Sequence, residues 1–295
     1  MEIVNIQNLK KKFGKFEALK DVTFTINSGE VFGFIGPNGA GKSTTIRVLL
    51  GLIKASGGKA SIFDLDVWKD NVKIHERIAY VPGDVNLWPN LTGGEIIDVF
   101  LNLKNQKHTE KTDQLIKEFN LDISKKARAY SKGNRQKVAL IAALSTDCDL
   151  YIFDEPTSGL DPLMEQVFQK HILRLKAEGR AILLSSHILS EVEKLCDRIA
   201  IIKDGDIIES GSLSEMRHLT RLSVEVLTDK KVAGLETLQG LTSVEQDDTK
   251  LSLQVDAEYF DAFMKHLNNY NIISLHSNPP TLEDLFLRYY HHNEK

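Results

Sequence analysis

The 295-residue sequence predicts an α/β fold: a mostly parallel core sheet, antiparallel strands at the N-terminus, a helical insert, and a small α+β domain at the C-terminus. Three observations predict it. Short apolar runs, EVFGFIG at 30–36, LYIFDE at 150–155 and AILLSS at 181–186, alternate with helical segments, the pattern of a buried parallel sheet. From Thr92 the pattern changes to helical, giving a helical insert at about 88–146. After about residue 218 it returns to strands with two interleaved helices.

In chain order, EIVNIQ alternates with period two, ALKDVTFTI follows, and EVFGFIG ends on Gly36 before a helix that opens at Gly41. KASIF and RIAYVP are further strands. Thr92 and Glu95 are spaced as a capping box ahead of IIDVFLNL, EKTDQLIKEF is a second helix, and QKVALIAALS a third. LYIFDE and AILLSS flank the amphipathic helix EQVFQKHILRLKAEG, which ends at Gly179. These segments form one domain, 1–218, with its helical subdomain at about 88–146. In 219–295, RLSVEVL, TSVEQ, KLSLQV and NIISLHS are strands, VAGLETLQ and EYFDAFMKHLNN helices, a βαββαβ order that predicts a ferredoxin-like domain. SNPPT then precedes a last amphipathic helix, LEDLFLRYY.

With 42% hydrophobic residues the chain can bury large cores, and a formal charge of -4 gives no basic field for nucleic acid. Cys148 and Cys196 have no CxxC spacing and read as buried free thiols of a reducing compartment. MEIVNIQNLKKKF lacks the form of a signal peptide, and no apolar run reaches the roughly 20 residues of a spanning helix. The expectation is a cytosolic protein whose membrane role, if any, comes through a partner.

The most specific motif is GPNGAGKS, residues Gly36, Pro37, Asn38, Gly39, Ala40, Gly41, Lys42 and Ser43, with Thr44 next. It matches G-x-x-x-x-G-K-[ST] between a predicted strand and a predicted helix. The glycines let backbone N–H groups turn toward phosphates, and the helix start faces them with its positive dipole end. Lys42 reaches the β- and γ-phosphates of a nucleotide, and Ser43 ligates magnesium. LYIFDE delivers Asp154 and Glu155 at a strand's C-terminal end, where α/β sheets hold their ligands. Asp154 suits the magnesium shell, and Glu155 suits a base for attacking water. An acidic pair by itself is as often a solvated turn; after a P-loop it reads as a magnesium site.

From these residues on, the chain resembles the ATP-binding-cassette (ABC) proteins. YSKGNRQK at 130–137, just ahead of LYIFDEPTSGLD, is similar to their signature loop, usually LSGGQ. Ser131 and Gly133 match, whereas Tyr130, Lys132 and Asn134 depart. The resemblance implies that Ser131 and Gly133 contact the γ-phosphate held by the opposite subunit, and a loop opening a helix has the electrostatics for that. SGLD at 158–161 matches the loop through which paired sites communicate, with Asp161 the matched residue; a capping turn is the plainer reading. His187, directly after AILLSS, matches the switch histidine that contacts the γ-phosphate and the attacking water. Phe13, in KKFG, matches the aromatic residue that stacks on adenine; the plainer alternative is a core phenylalanine. One position departs: the glutamine of the family's magnesium-coupling loop aligns with Gly83, which leaves Asp84 or a water to supply an oxygen.

The resemblance implies an ATPase of the P-loop ABC fold, using ATP and Mg2+, that dimerises head to tail with a second copy or a paralogous ATPase. It implies a peripheral subunit at the cytoplasmic face of the cell membrane. The C-terminal stretch ending in PPTLEDLFL resembles the extension of bacterial exporter ATPases, including drug and antibiotic exporters. Separate permease subunits would then dock near the helical insert, with Trp88 and Leu91 as candidate contacts. Two other readings stand beside it: a cassette protein acting on ribosomes or DNA, which usually has two cassettes or long coiled-coil insertions, and a nucleotide sensor that does not turn over.

Overall fold

Period-two burial at the N-terminus builds a long antiparallel hairpin. Strand β1 (Glu2–Phe13) buries Val4, Ile6 and Leu9, and strand β2 (Phe16–Asn27) buries Leu19, Val22, Phe24 and Ile26, all in one core. The computed structural model describes residues 1–218 and 222–278. Strand β3 (Val31–Ile35) is buried at all five positions and leads into helix α1 (Lys42–Leu49). Then follow β4 (Gly57–Ile62), β5 (Leu65–Asp66), α2 (Asn71–Arg77) and β6 (Ile78–Val81). The helical insert holds α3 (Gly93–Leu103), α4 (Glu110–Glu118) and α5 (Lys132–Ser145). Strand β7 (Leu150–Asp154), helix α6 (Pro162–Ala177), strand β8 (Ala181–Ser186) and helix α7 (Leu189–Leu195) lead to the hairpin β9 (Arg198–Lys203) and β10 (Asp206–Ser212).

One sheet runs β5-β4-β1-β2-β10-β9-β3-β8-β7-β6. From β9 to β6 its pairs are parallel, whereas β1 pairs antiparallel with both β2 and β4. Because β3, β8, β7 and β6 are parallel neighbours, the loops at their C-terminal ends emerge side by side, and the candidate residues Lys42, Glu155 and His187 lie on them. The β9–β10 hairpin was not read from sequence, although its Asp204-Gly205 turn, with φ of 49° and 83°, is a strong two-residue hairpin signal.

In the insert, Thr92 Oγ1 accepts from the Glu95 amide at 3.2 Å and Glu95 Oε2 accepts from the Thr92 amide at 2.7 Å, the reciprocal cap that the spacing predicts. Helix α3 then buries Ile96, Ile97 and Leu101, and Lys104 behind it donates to Ile78 O at 2.6 Å and to His75 O, tying the insert to the core sheet.

The chain divides into two compact units between Gly211 and Ser212, so α8 (Leu213–His218) falls with the second unit rather than the first, where the sequence boundary at 218 put it. The second unit contains β11 (Leu222–Thr228), β12 (Leu241–Asp247), β13 (Lys250–Val255), helix α9 (Phe260–Leu267) and β14 (Ile272–Asn278). Its sheet order is β12-β13-β11-β14 with every neighbouring pair antiparallel, over a core that includes Val224, Val226, Leu251, Leu253, Val255, Phe263 and Leu267. The helix expected in VAGLETLQ is a single 3-10 turn, Leu235–Thr237. Gly234 is left-handed at φ 77°, and the Thr237 hydroxyl donates back to Gly234 O at 2.7 Å, closing the turn before a helix can propagate. The last expected helix, LEDLFLRYY, lies outside the described residues.

Candidate ATP site

Glycine is required at two points of the loop after β3. A Cβ on Gly36 would meet Ile202 O at 2.4 Å; Gly41 has φ 119°, and a Cβ there would meet Leu19 Cδ2 at 2.7 Å. The tight path brings the loop over the start of α1, whose first-turn N–H groups have no helical partner. Lys42 is buried, and its Nζ donates to Gly36 O at 2.5 Å and Pro37 O at 3.1 Å and lies 3.5 Å from Glu155 Oε1. Ser43 and Thr44 are half-buried beside it, Asn38 and Gly39 are exposed at the crest, and Ala40 packs inward.

At the end of β7 the two carboxylates diverge. Asp154 ends the strand, buried, and its Oδ1 accepts from Ser185 Oγ of β8 at 2.5 Å. Glu155 turns out of the strand in the left-handed region, φ 49°, with its amide donating to Ser185 O at 3.0 Å. That turn aims its carboxylate along the loop ends: Oε1 faces Lys42, and Oε2 lies 3.3 Å from His187 Nδ1. Lys42, Glu155 and His187 thus come together from the ends of β3, β7 and β8. Tyr80 of β6 lies on the Asp154 side, its phenol pushed up to about 12 by burial and then by the Asp154 charge.

Consecutive residues of a strand face opposite sides, so Ser185 supports Asp154 while Ser186 turns the other way. Ser186 Oγ donates to buried Glu191 at 2.8 Å and accepts from the Ile188 amide at 3.0 Å. Ser185, Ser186, Thr157 and Glu191 were not legible as site residues in the sequence. The one available signal was the pair of serines closing an otherwise apolar strand.

The signature loop is assembled separately. Ser131 is the N-cap of α5, its Oγ accepting from the Asn134 amide at 3.3 Å. Gly133 packs on the SGLD loop so closely that a Cβ would fall 2.3 Å from Gly159 O. Lys132 turns its ammonium to Ser158 Oγ at 2.8 Å, and Tyr130 is buried with its hydroxyl donating to Asp122 O at 2.6 Å. Asp161 Oδ1 caps α6, accepting from the Leu163 and Met164 amides at 3.1 Å each. Among the described residues, no hydrogen bond or ion pair joins Ser131, Gly133 or Asp161 to the P-loop.

Phe13 is 50% exposed at the hairpin tip, with Lys11 Nζ 4.8 Å from its ring centroid, so it is not a core phenylalanine. Its cross-strand neighbour Phe16 is 66% exposed. Gly83 lies against β7: a Cβ there would be 3.1 Å from Asp154 O, and Asp84 beside it is exposed.

An ABC transporter family profile matches residues 19–158, and a profile of the C-terminal domain of DrrA1-3-like ATP-binding proteins matches 211–290. An ABC transporter ATP-binding protein of Synechocystis is 35% identical over 281 residues, covering 93% of this chain and 78% of that protein. The chain belongs to the ABC transporter ATP-binding proteins. A fluoroquinolones export ATP-binding protein of Mycobacterium tuberculosis is 33% identical over 97% of this chain and 92% of its own length. The linearmycin resistance ATP-binding protein LnrL of Bacillus subtilis is 28% identical over 97% of each chain. Among solved structures, an ATP-binding subunit of an ABC transporter superposes with a TM-score of 0.69 at 32% identity, covering 74% of this chain and 92% of that one. A dimeric ATP-binding cassette in a post-hydrolysis state, bound to ADP and Pi, superposes with a TM-score of 0.64 at 26% identity, covering 72% of this chain and 99% of that one. The ABC cassette is therefore an ATPase that binds ATP, with exporter-like relatives along nearly its whole length. Among the described residues, no helix is long and apolar enough to cross a membrane.

Proposed function

We propose that the chain is the nucleotide-binding subunit of an exporter, working as a head-to-tail pair in which the P-loop of one copy and the signature loop of the other close on each ATP. The observation that carries this reading is the presence of two helix starts, at Lys42 and at Ser131, with no hydrogen bond or ion pair between their loops among the described residues. Each copy then holds half of two sites. The dimeric cassette among the structural relatives supports it, as do the resistance and export proteins that match along nearly the whole chain.

In hydrolysis, the P-loop amides and Lys42 bind the phosphates, and ATP draws the Lys42 ammonium from the loop carbonyls toward the β- and γ-phosphates. Glu155, held between Lys42 and His187, takes the proton of the attacking water, and His187 orients the γ-phosphate. Phe13 stacks on adenine from the hairpin tip. Ser43 and Asp154 fit a magnesium shell: both are oxygen donors, and Asp154 has Oδ1 fixed by Ser185 with no hydrogen bond to Oδ2 among the described residues. Magnesium would supply charge neutralisation on the β- and γ-phosphate oxygens. Gly83 offers no side-chain ligand.

An apolar groove of about 350 Å³ between the core sheet and the insert, lined in part by Leu52, Tyr80, Leu87, Phe100 and Lys104, suits a permease segment at the cytoplasmic face of the membrane. Trp88, half-exposed, has its ring centroid 5.9 Å from that of Phe100 beside the groove.

The test uses two-tag heterodimers in a Glu155→Gln background, which keeps ATP bound. With Lys42→Ala on one chain and Ser131→Arg on the other, one composite site stays whole and one ATP is occluded. With both changes on one chain, each site has a lesion and none is occluded. The reverse result would overturn the head-to-tail pair.

A further inference from the structure

Helix α7 carries a buried acid that the reaction described above does not use. Glu191 is 5% exposed, and it lies beneath the two loops that hold Glu155 and His187. Its Oε2 accepts from Ser186 Oγ at 2.8 Å and, in a longer contact, from Thr157 Oγ1 at 3.5 Å. Thr157 is two residues after Glu155, and Ser186 is the residue before His187. Both hydroxyl-bearing residues are themselves buried.

The arrangement is costly. Glu191 Oε1 has no hydrogen-bond partner among the described residues, and an unpartnered buried acceptor loses its solvation without compensation. Burial raises the carboxyl above its ordinary range, against the hydrogen bonds from Ser186 and Thr157, which lower it. A large aliphatic residue would fill the same space without that penalty, so packing alone gives no reason for an acid here.

The hydrogen-bond directions supply one. Ser186 Oγ donates to Glu191 and at the same time accepts from the Ile188 amide, so the hydroxyl bridges the backbone on both sides of His187. With the serine proton committed to Glu191, its lone pair faces the Ile188 amide, and the turn presenting the imidazole is fixed. Without an acceptor at 191 the hydroxyl is free to rotate, and both the turn and its tie to the Glu155 loop loosen.

We propose that Glu191 is a positioning residue for hydrolysis, holding the Glu155 loop and the His187 loop in register through the hydroxyls of Thr157 and Ser186. It touches neither nucleotide nor water and acts through those loops. The proposal rests on the roles assigned above to Glu155 and His187.

The experiment measures steady-state ATP hydrolysis of the purified chain with Glu191→Ala, Glu191→Gln, Ser186→Ala and the Glu191→Ala/Ser186→Ala pair, beside His187→Ala, with melting curves for each. Because misplacing a catalytic group by an ångström costs up to about 100-fold, Glu191→Ala is expected to lower kcat about 10- to 100-fold while KM for ATP stays within about twofold. Glutamine keeps an acceptor oxygen for Ser186 and should restore most of the rate. Ser186→Ala, a smaller change that keeps the fold even if Glu191→Ala does not, should lower kcat in the same way, and the double variant should be little worse than the worse single one. A folded Glu191→Ala protein at wild-type kcat, with His187→Ala impaired, overturns the proposal alone. Additive losses in the double variant, or a Glu191→Gln as impaired as Glu191→Ala, also overturn it. Wild-type turnover by His187→Ala overturns the site roles, and this proposal with them.

Discussion

Replacing Phe13 by alanine separates binding from folding, because the ring stands half in solvent. Base–aromatic stacking contributes about 1–3 kcal/mol per base, so removing the ring should weaken ATP binding about 5- to 150-fold. The effect on the fold should be smaller. Truncating a fully buried phenylalanine costs about 3–5 kcal/mol, and a ring half exposed, whose main polar neighbour is the Lys11 ammonium, should cost about 1–2 kcal/mol. The assay is equilibrium titration with a fluorescent ATP analogue, competed by ATP, beside thermal melting of the same preparations. Phe13→Tyr keeps a ring of the same size and should bind within about threefold of the native chain. A folded Phe13→Ala protein whose ATP affinity is unchanged would refute the stacking role, and a tyrosine variant as weak as alanine would refute the ring as its cause.

Gly83→Gln restores the side chain usual in the family, but its Cβ would lie 3.1 Å from Asp154 O, so β7 must yield by a few tenths of an ångström. We expect a stability loss of about 1 kcal/mol and basal hydrolysis within about threefold at saturating magnesium; a large rise in rate at limiting magnesium would mean that the native loop lacks an oxygen the metal needs. Glu191→Gln should also change the pH dependence of stability. The folded-state carboxyl lies above its ordinary 4.5, so its own contribution to stability is fully present below that pH and is lost as pH rises through the raised value. The melting temperature of the glutamine variant should therefore gain on the native one with rising pH, and a pH-independent difference would contradict the raised carboxyl.

The parallel core was legible because its strands are uniformly apolar and its P-loop is punctuated by glycines. The capping box at Thr92 was legible for a similar reason: local hydrogen bonding depends only on residues three apart. The helix expected in VAGLETLQ failed because one left-handed glycine outweighs a weakly amphipathic pattern. At the site, residue types and order located Lys42, Asp154, Glu155 and His187, but not how they meet. Adjacent strand residues point to opposite faces, so nothing in the pair Asp-Glu says that Glu155 leaves the strand and reaches both Lys42 and His187. Lys132 departs from the signature pattern, and nothing local in the sequence says that its ammonium turns to Ser158, 26 residues away. Glu191 was invisible because a Glu in a polar helical stretch reads as a solvated surface residue.

The left-handed backbone at Glu155 has an evolutionary consequence. That conformation suits glycine or asparagine, and a glutamate holds it at a local energetic disadvantage. With the role proposed for Glu155, directed evolution toward heat resistance, if survivors were chosen by folding alone, would drift away from the acid at this position and yield sturdier cassettes that no longer turn over. A thermostable lineage of this ATPase can be bred only under a screen that reads phosphate release in every round.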